Sequence, residues 1–273
     1  MAHRHDVYRY GPGKKKKKYI EHEFKYAGLC GAKGETREPK KKATPEQIKK
    51  QNQWNKEKTV LRTMRDNFVP GDLWITLKLK KGTRMPVKEL LKLRGKFLRK
   101  VRDKYKKRNQ TFKFMYRIEV GERGGIHFHI IMNRLEGAPG TADVVRECWE
   151  ELTGGHVHYT PVYEEGGFKE LADYLVKPNS EEISGQLTLF GSEEETKVFS
   201  TYGCSRNLSR PEKEEHEYKK RTVRKLIEYG PEPTPGYYID QDSIRYGVNP
   251  YTGMSYYYYT EIRLDGWEGG DDG

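Results

Sequence analysis

Apolar and polar residues alternate most sharply between 112 and 132. In FKFMYRIEV, Phe112, Phe114, Tyr116, Ile118 and Val120 share one parity, and Lys113, Met115, Arg117 and Glu119 share the other. On a strand these two sets face opposite ways. After the Gly-rich GERGG the chain returns as IHFHIIM, with Phe128, Ile130 and Met132 on one parity and His127 and His129 on the other. Its β-branched and aromatic content suits a strand, and the pattern predicts a β-hairpin. Pairing the two apolar faces sets Glu119 beside His127 and His129. Upstream, Leu73, Ile75, Leu77 and Leu79 alternate with Trp74, Thr76 and Lys78, a half-buried strand. HVHYTPVY at 156–163 reads as a further strand.

Helical spacing fills the intervals. Thr44-Pro45-Glu46 opens a helix to about Asn67, with threonine as N-cap and proline at the first helical position. A second helix starts at Pro86 and runs to about Lys107, with Leu90, Phe97, Leu98, Val101 and Tyr105 on its inner side and a basic outer side. A third covers Thr141–Leu152, capped at or near Thr141 and stopped by Gly154-Gly155. In GFKELADYLVKP, Phe168, Leu171, Ala172 and Leu175 fall at i, i+3, i+4, i+7, while Glu170, Tyr174 and Lys177 share the opposite face and Pro178 ends the helix. Residues 179–196 read as an acidic loop, Glu212–Tyr229 as a charged helix, and the Tyr-rich stretch Tyr237–Leu264 as a closing hairpin. The order β, α, hairpin, α, β, α implies an α+β fold.

Charge changes the picture of the chain's ends. The 273 residues carry 52 Lys and Arg against 40 Asp and Glu, net +12. Residues 1–110 hold 34 basic and 11 acidic residues (+23), and the remainder 18 and 29 (−11). Such a basic half is the footprint of phosphate-backbone contact. Residues 1–43 read as a basic, flexible arm. Its lysines (Lys14, Lys15, Lys16, Lys17, Lys18, Lys40, Lys41 and Lys42) are interleaved with Tyr8, Tyr10, Tyr19, Phe24 and Tyr26, a mix that binds single strands by charge and stacking. His3 and His5 within it read as incidental. Residues 44–70 form a flanking helix, 71–211 a core, 212–264 a C-terminal extension and 265–273 an acidic tail. Cys30, Cys148 and Cys204 form no C-x-x-C pair, which fits a reducing cytoplasm. There is no apolar run near 18 residues and no signal-peptide core, so neither a membrane span nor conventional secretion is expected.

Two motifs carry chemistry. Two imidazoles and a carboxylate on one strand pair suit a divalent metal with open positions. A tyrosine and a lysine one turn apart on the wet side of a short helix can both address a metal-bound phosphate, and metal or ammonium lowers the barrier to using a phenol as nucleophile. Glu122, in the turn, is the second choice of carboxylate. His156 and His158 form a competing H-x-H pair without a carboxylate at a readable position, and Tyr159 beside them is the next candidate nucleophile.

Together, His127-Phe128-His129 followed by Tyr174-Leu175-Val176-Lys177 resembles the HUH endonuclease superfamily of rolling-circle replication initiators, in particular the single-tyrosine Rep proteins of phages and plasmids. DLWITLKL at 72–79 matches its hydrophobic first motif, and Ser205-Arg206-Asn207-Leu208 is similar to a segment that follows the nucleophile helix in phage relatives. The likeness spans roughly 71–211. It implies an antiparallel sheet with helices on one face and the histidines on the other. It also implies Mg²⁺ or Mn²⁺ on His127, His129 and Glu119, and Tyr174 as the nucleophile that leaves a 5′-phosphotyrosine on single-stranded origin DNA, with Lys177 steadying the phosphate. Glu170 and Pro178 occupy the neighbouring turns, which argues against a two-tyrosine enzyme. No helicase P-loop is present. A bacterial host cytoplasm, with host helicase and polymerase as further partners and no small-molecule cofactor, follows from the same likeness. A relaxase or transposase of a mobile element, and a non-catalytic basic DNA-binding protein, are the alternatives.

Overall fold

A computed structural model describes residues 3–13, 17–26, 42–120, 125–162, 167–178, 199–218, 223–249 and 254–266. The chain divides into two units, residues 53–209 and a second made of 1–52 with 210–273.

The 53–209 unit is built on a five-stranded antiparallel sheet. Its strands are β3 (Leu73–Lys78), β4 (Phe114–Val120), β5 (Ile126–Met132), β6 (His156–Pro161) and β7 (Phe199–Cys204), in the order β6-β3-β5-β4-β7. β4 and β5 pair as the hairpin, with Glu119 opposite His127 and Ile118 opposite Phe128. The alternation read from sequence sorts the sheet into two unlike faces. Ile75, Leu77, Phe114, Ile118, Phe128, Ile130 and Met132 line one of them. Against them pack α2 (Val87–Lys106), through Leu90, Phe97, Leu98 and Val101, and α3 (Thr141–Thr153), through Val144, Val145, Cys148 and Trp149. Each such side chain contributes about 1.5–3 kcal/mol on burial, so this layer supplies most of the unit's cohesion.

The histidine-bearing face is covered only at one end. There α1 (Pro45–Asn67) brings Val60 and Met64, and α4 (Gly167–Val176) brings Phe168, Ala172 and Leu175, onto Met115 and Ile131. The expected α+β arrangement is therefore present, with α2 and α3 on the face away from the histidines and two further helices closing part of the other face.

Local signals behave as their chemistry dictates, with two exceptions. Gln47 N–H donates to Thr44 Oγ1 at 3.3 Å, and Thr44 N–H donates to Gln47 Oε1 at 2.8 Å, a capping box at the start of α1. Thr141 does not cap α3: the N-cap is Gly140, and the Thr141 hydroxyl accepts from Leu135 N–H at 2.6 Å. Lys177 lies one residue beyond the last helical residue of α4 rather than on its face. The Ser205–Leu208 segment extends the pairing of β7 with β4. Ser205 N–H donates to Phe114 O at 2.9 Å, and Asn207 Nδ2 donates to Phe112 O at 3.1 Å.

In the other unit, β1 (His3–Tyr10), β2 (Tyr19–Tyr26), β8 (Lys213–Tyr218), β9 (Tyr237–Asn249) and β10 (Met254–Arg263) form a second antiparallel sheet, ordered β8-β1-β2-β10-β9. The segment read as a flexible arm thus contributes two strands. They hold because Val7, Tyr10, Tyr19, Ile20 and Phe24 are buried, and because the fully buried Asp6 pairs with Arg4 at 2.8 Å and Lys25 at 2.6 Å. His5 is part of the sheet: it stacks on Phe24 at 3.9 Å and meets His22 Nδ1 at 2.8 Å. The helix read over 212–229 is a strand, β8, and a short helix α5 (Arg224–Tyr229). Pairing with β1 overrides the helical preference of Lys and Glu in KEEHEY. The Tyr-rich hairpin of β9 and β10 is present, with Tyr257 and Tyr259 buried. Residues 179–198 and 267–273, which cover most of the acidic loop and the tail, lie outside the described residues.

Trp149 Nε1 donates to the Lys78 carbonyl at 3.0 Å, and a Cβ added at Gly155 would stand 2.1 Å from that same oxygen. Replacing Gly155 with alanine should therefore force β3 and the α3 terminus apart and cost about 1–3 kcal/mol. Urea unfolding followed by tryptophan fluorescence checks this, and an unchanged midpoint would refute it.

Candidate functional site

Antiparallel register places the polar residues of 53–209 in rows. Glu119 is opposite His127, and His127 is opposite Lys78. Arg117 is opposite His129, and His129 is opposite Thr76. Residues opposite one another in adjacent strands share a face. Glu119, His127 and His129 converge so that one ligand atom from each lies within 4.8 Å of the others.

The phenol of Tyr174, from α4, enters this cluster. Its hydroxyl donates to Glu119 Oε1 at 2.7 Å and lies 2.9 Å from His129 Nε2. Tyr174 reaches it because the apolar stripe Phe168, Ala172 and Leu175 is turned down onto the sheet, which leaves the opposite side of the helix for the tyrosine. His129 is held from three sides. Thr76 Oγ1 contacts Nδ1 at 3.2 Å, Trp74 stacks on the ring at 6.0 Å, and the Tyr174 ring stands edge-on at 4.8 Å. Trp74 also meets the Tyr174 ring edge-on at 6.0 Å, so one indole positions both.

Arg117 completes the site. It is buried, its Nε donates to Glu119 Oε2 at 3.1 Å, and its Nη1 donates to the carbonyls of Leu175 at 3.3 Å and Lys177 at 2.7 Å. Gln53 Nε2 from α1 takes the intervening Val176 carbonyl at 2.8 Å. Three successive carbonyls at the end of α4, left without helical partners, are thereby capped by side chains. Parity placed Arg117 on the site face, but nothing in the sequence indicated what it bonds. The same holds for Trp74 and Thr76.

Electrostatics sets the protonation of the donors. Hydrogen bonding from His129, then from Tyr174 and Arg117, outweighs burial and pulls the Glu119 carboxyl down to about 2. Burial, with His129 and Lys78 nearby, pushes the His127 imidazole below its ordinary range. An ionised carboxylate and a neutral imidazole are the forms that coordinate a cation, so these residues fit a divalent metal. The Tyr174 hydroxyl is pushed up, by burial and then by Glu119.

The remaining candidates fall elsewhere. Lys177 is exposed, and its side chain makes no bond to the cluster among the described residues. Glu122 lies outside the described residues, as do Lys14, Lys15, Lys16, Lys40 and Lys41. Lys42 is exposed, and the Lys18 ammonium is 3.6 Å from Asp265. His156 and His158 sit on β6, opposite Lys78 and Thr76, on the same sheet face as the cluster but separated from it by β3. Tyr159 points the other way: its hydroxyl donates to Ala142 O at 2.6 Å, and burial pushes it up to about 12.

Residues 72–179, from the start of β3 to just past α4, match the ORF2-type family of replication-associated proteins. No curated protein and no solved structure gives a significant match to the chain. Among the described residues, no helix is long and apolar enough to cross a membrane.

Substituting methionine for Arg117 keeps the stem but removes the bonds to Glu119 and to two helix-terminal carbonyls. Unfolding free energy should fall by about 2 kcal/mol, the scale of hydrogen bonds to a charged group. The urea midpoint of Arg117→Met reports it, and a midpoint equal to that of the parent protein would show that the guanidinium holds nothing.

Proposed function

We propose that this chain is a replication initiator that nicks and rejoins single-stranded DNA at an origin, with Tyr174 as the nucleophile. The observation that carries the reading is the single hydroxyl of Tyr174, in hydrogen-bond contact with two of three convergent metal-ligating side chains. Nucleophile and ligands meet at one point. The family match over the same residues supports a replication role and contact with DNA, and the net charge of +12 suits a polyanion.

In this reading the Tyr174 oxygen attacks the phosphorus of a phosphodiester. The bond from phosphorus to the 3′ oxygen breaks, the phenol gives up its proton, and a proton is taken up by the departing oxygen. The products are a 3′-hydroxyl and a DNA 5′-phosphate esterified to Tyr174. Attack by a 3′-hydroxyl on that ester reverses the step and rejoins a strand. Glu119, His127 and His129 would hold Mg²⁺ or Mn²⁺, which supplies Lewis-acid polarisation of a phosphoryl oxygen; imidazole ligands favour Mn²⁺. Glu119 and His129 also hold the phenol proton in place, while Arg117 and Trp74 fix the approach of the ring. Lys177, one residue past the helix, is placed to steady the phosphate. Lys14 to Lys18 and Lys40 to Lys42 add backbone contacts. The released 3′-hydroxyl is a primer, which calls for a polymerase and a helicase from a bacterial host cytoplasm.

Tyr174→Phe removes one hydroxyl and no charge. Incubated with single-stranded origin DNA and Mn²⁺, the parent protein should give a covalent adduct on a denaturing gel. The phenylalanine variant should give none while its DNA affinity changes less than about twofold. An adduct formed by Tyr174→Phe would place the nucleophile elsewhere.

Calorimetric titration with Mn²⁺ tests the ligand set separately. His127→Ala and His129→Ala should each abolish binding, and Glu119→Gln should weaken it by roughly tenfold or more, the scale of losing one ionised ligand. His156→Ala and His158→Ala should bind as the parent does. Retention in His127→Ala with loss in His156→Ala would sink the assignment.

A further inference from the structure

The geometry points to a backbone-binding lane for single-stranded DNA that leaves the cluster across β3 and β6, made by Lys78, His156 and His158 with Thr76 and Thr160. This rests on the reading of the cluster as a site that acts on single-stranded DNA.

Two sides of the cluster are closed. On the β4 side, Arg117 is bonded to the carbonyls that end α4, so the helix terminus stands over that edge. Toward the Trp74, Ile131 and Met115 row, α1 and α4 pack onto the sheet. Toward β6 the face is bare. Lys78, His156, His158 and Thr160 are exposed, and Thr76 is half-buried. A strand held at the cluster has this open path.

Register then aligns the path with the cluster. One row runs Glu119, His127, Lys78, His156, and the next runs Arg117, His129, Thr76, His158. At about 4.8 Å between neighbouring strands, His156 and His158 stand roughly 10 Å from the cluster histidines, two strands along the same row.

Composition supplies the chemistry. On this face β3 and β6 present Trp74, Thr76, Lys78, His156, His158 and Thr160, each with an N–H or O–H to donate and none acidic. Beneath them Ile75 and Leu77 are buried in the core, with Leu73, Val157 and Tyr159 packed against it. An ordinary solvated edge strand carries mixed charges; this one offers only hydrogen-bond donors beside a lysine, on a strand whose neighbour is clamped from behind by Trp149 at the Lys78 carbonyl. Phosphodiester oxygens, which accept and carry charge, are the matching ligand.

The test uses the full chain and a fluorescein-labelled oligodeoxythymidine, read by anisotropy across a salt series. The triple variant Lys78→Gln, His156→Ala, His158→Ala should bind about tenfold more weakly, with a salt slope shallower by about 0.7, the value for one fewer phosphate neutralised on a single strand. Lys88→Gln, an exposed lysine on α2 over the opposite face, should change affinity less than twofold. Mn²⁺ titration of the triple variant should match the parent. On the parent protein, carbethoxylation followed by mass spectrometry should find His156 and His158 reactive alone and protected by the oligonucleotide. Parent affinity and slope in the triple variant, or a weakening no larger than that of Lys88→Gln, would overturn the lane, as would loss of Mn²⁺ binding or unprotected histidines. These outcomes are independent of the adduct assay: a triple variant that still forms the adduct at saturating DNA leaves the role of Tyr174 standing whether or not the lane fails.

Discussion

A buried guanidinium has to be satisfied on all sides, and Arg117 meets that demand by joining the strand of the carboxylate to the helix of the phenol. Taking a cation out of water costs several kcal/mol unless acceptors replace the solvent. Glu119 supplies one, and the carbonyls of Leu175 and Lys177 supply the others. Those carbonyls lie at the negative end of α4, where a cation is favoured. The arrangement solves two problems at once, since a ten-residue helix needs its terminus capped and a carboxylate among histidines needs its orientation fixed. Tyr174 reaches Glu119 because both are referred to the same side chain.

Around that link the sheet separates structure from chemistry. Its apolar face, under α2 and α3, carries the cohesion, so the polar face can be left partly bare. β3 serves both faces. Ile75 and Leu77 are in the core, while Trp74 and Thr76 hold His129 from above. Second partners of this kind fix which ring nitrogen faces a ligand position, and all of them come from a neighbour in space rather than in sequence.

That distinction explains what the sequence disclosed. The hairpin and its Glu119, His127, His129 constellation were legible because one buried face fixes parity, and parity fixes direction. The stripe of Phe168, Leu171, Ala172 and Leu175 put Tyr174 on the opposite side of its helix in the same way. The facing of His156 and His158 was not legible, since it depends on the pairing of β6 with β3, distant in the chain. The bonds of Arg117 were hidden for the same reason. The strands at 3–10 and 19–26 were masked by their charges: Asp6, Arg4 and Lys25 satisfy one another inside a sheet, yet in sequence they resemble a solvated arm. KEEHEY reads as helix by propensity and is a strand because β1 offers it an edge.

The second sheet has a consequence for the order of events in folding. β1 pairs with β2 on one side and with β8 on the other, and β2 pairs onward with β10. Those partners lie beyond residue 212, and all of 53–209 intervenes. A ribosome therefore releases the β1–β2 hairpin long before either outer edge can be covered, and bare edges invite pairing with other chains. Compaction of 53–209 shortens the effective loop that must be closed and so lowers the entropy of bringing the two ends of the chain to one sheet. The charges that disguise these strands in the sequence are also the residues that keep an unpaired edge in water while it waits.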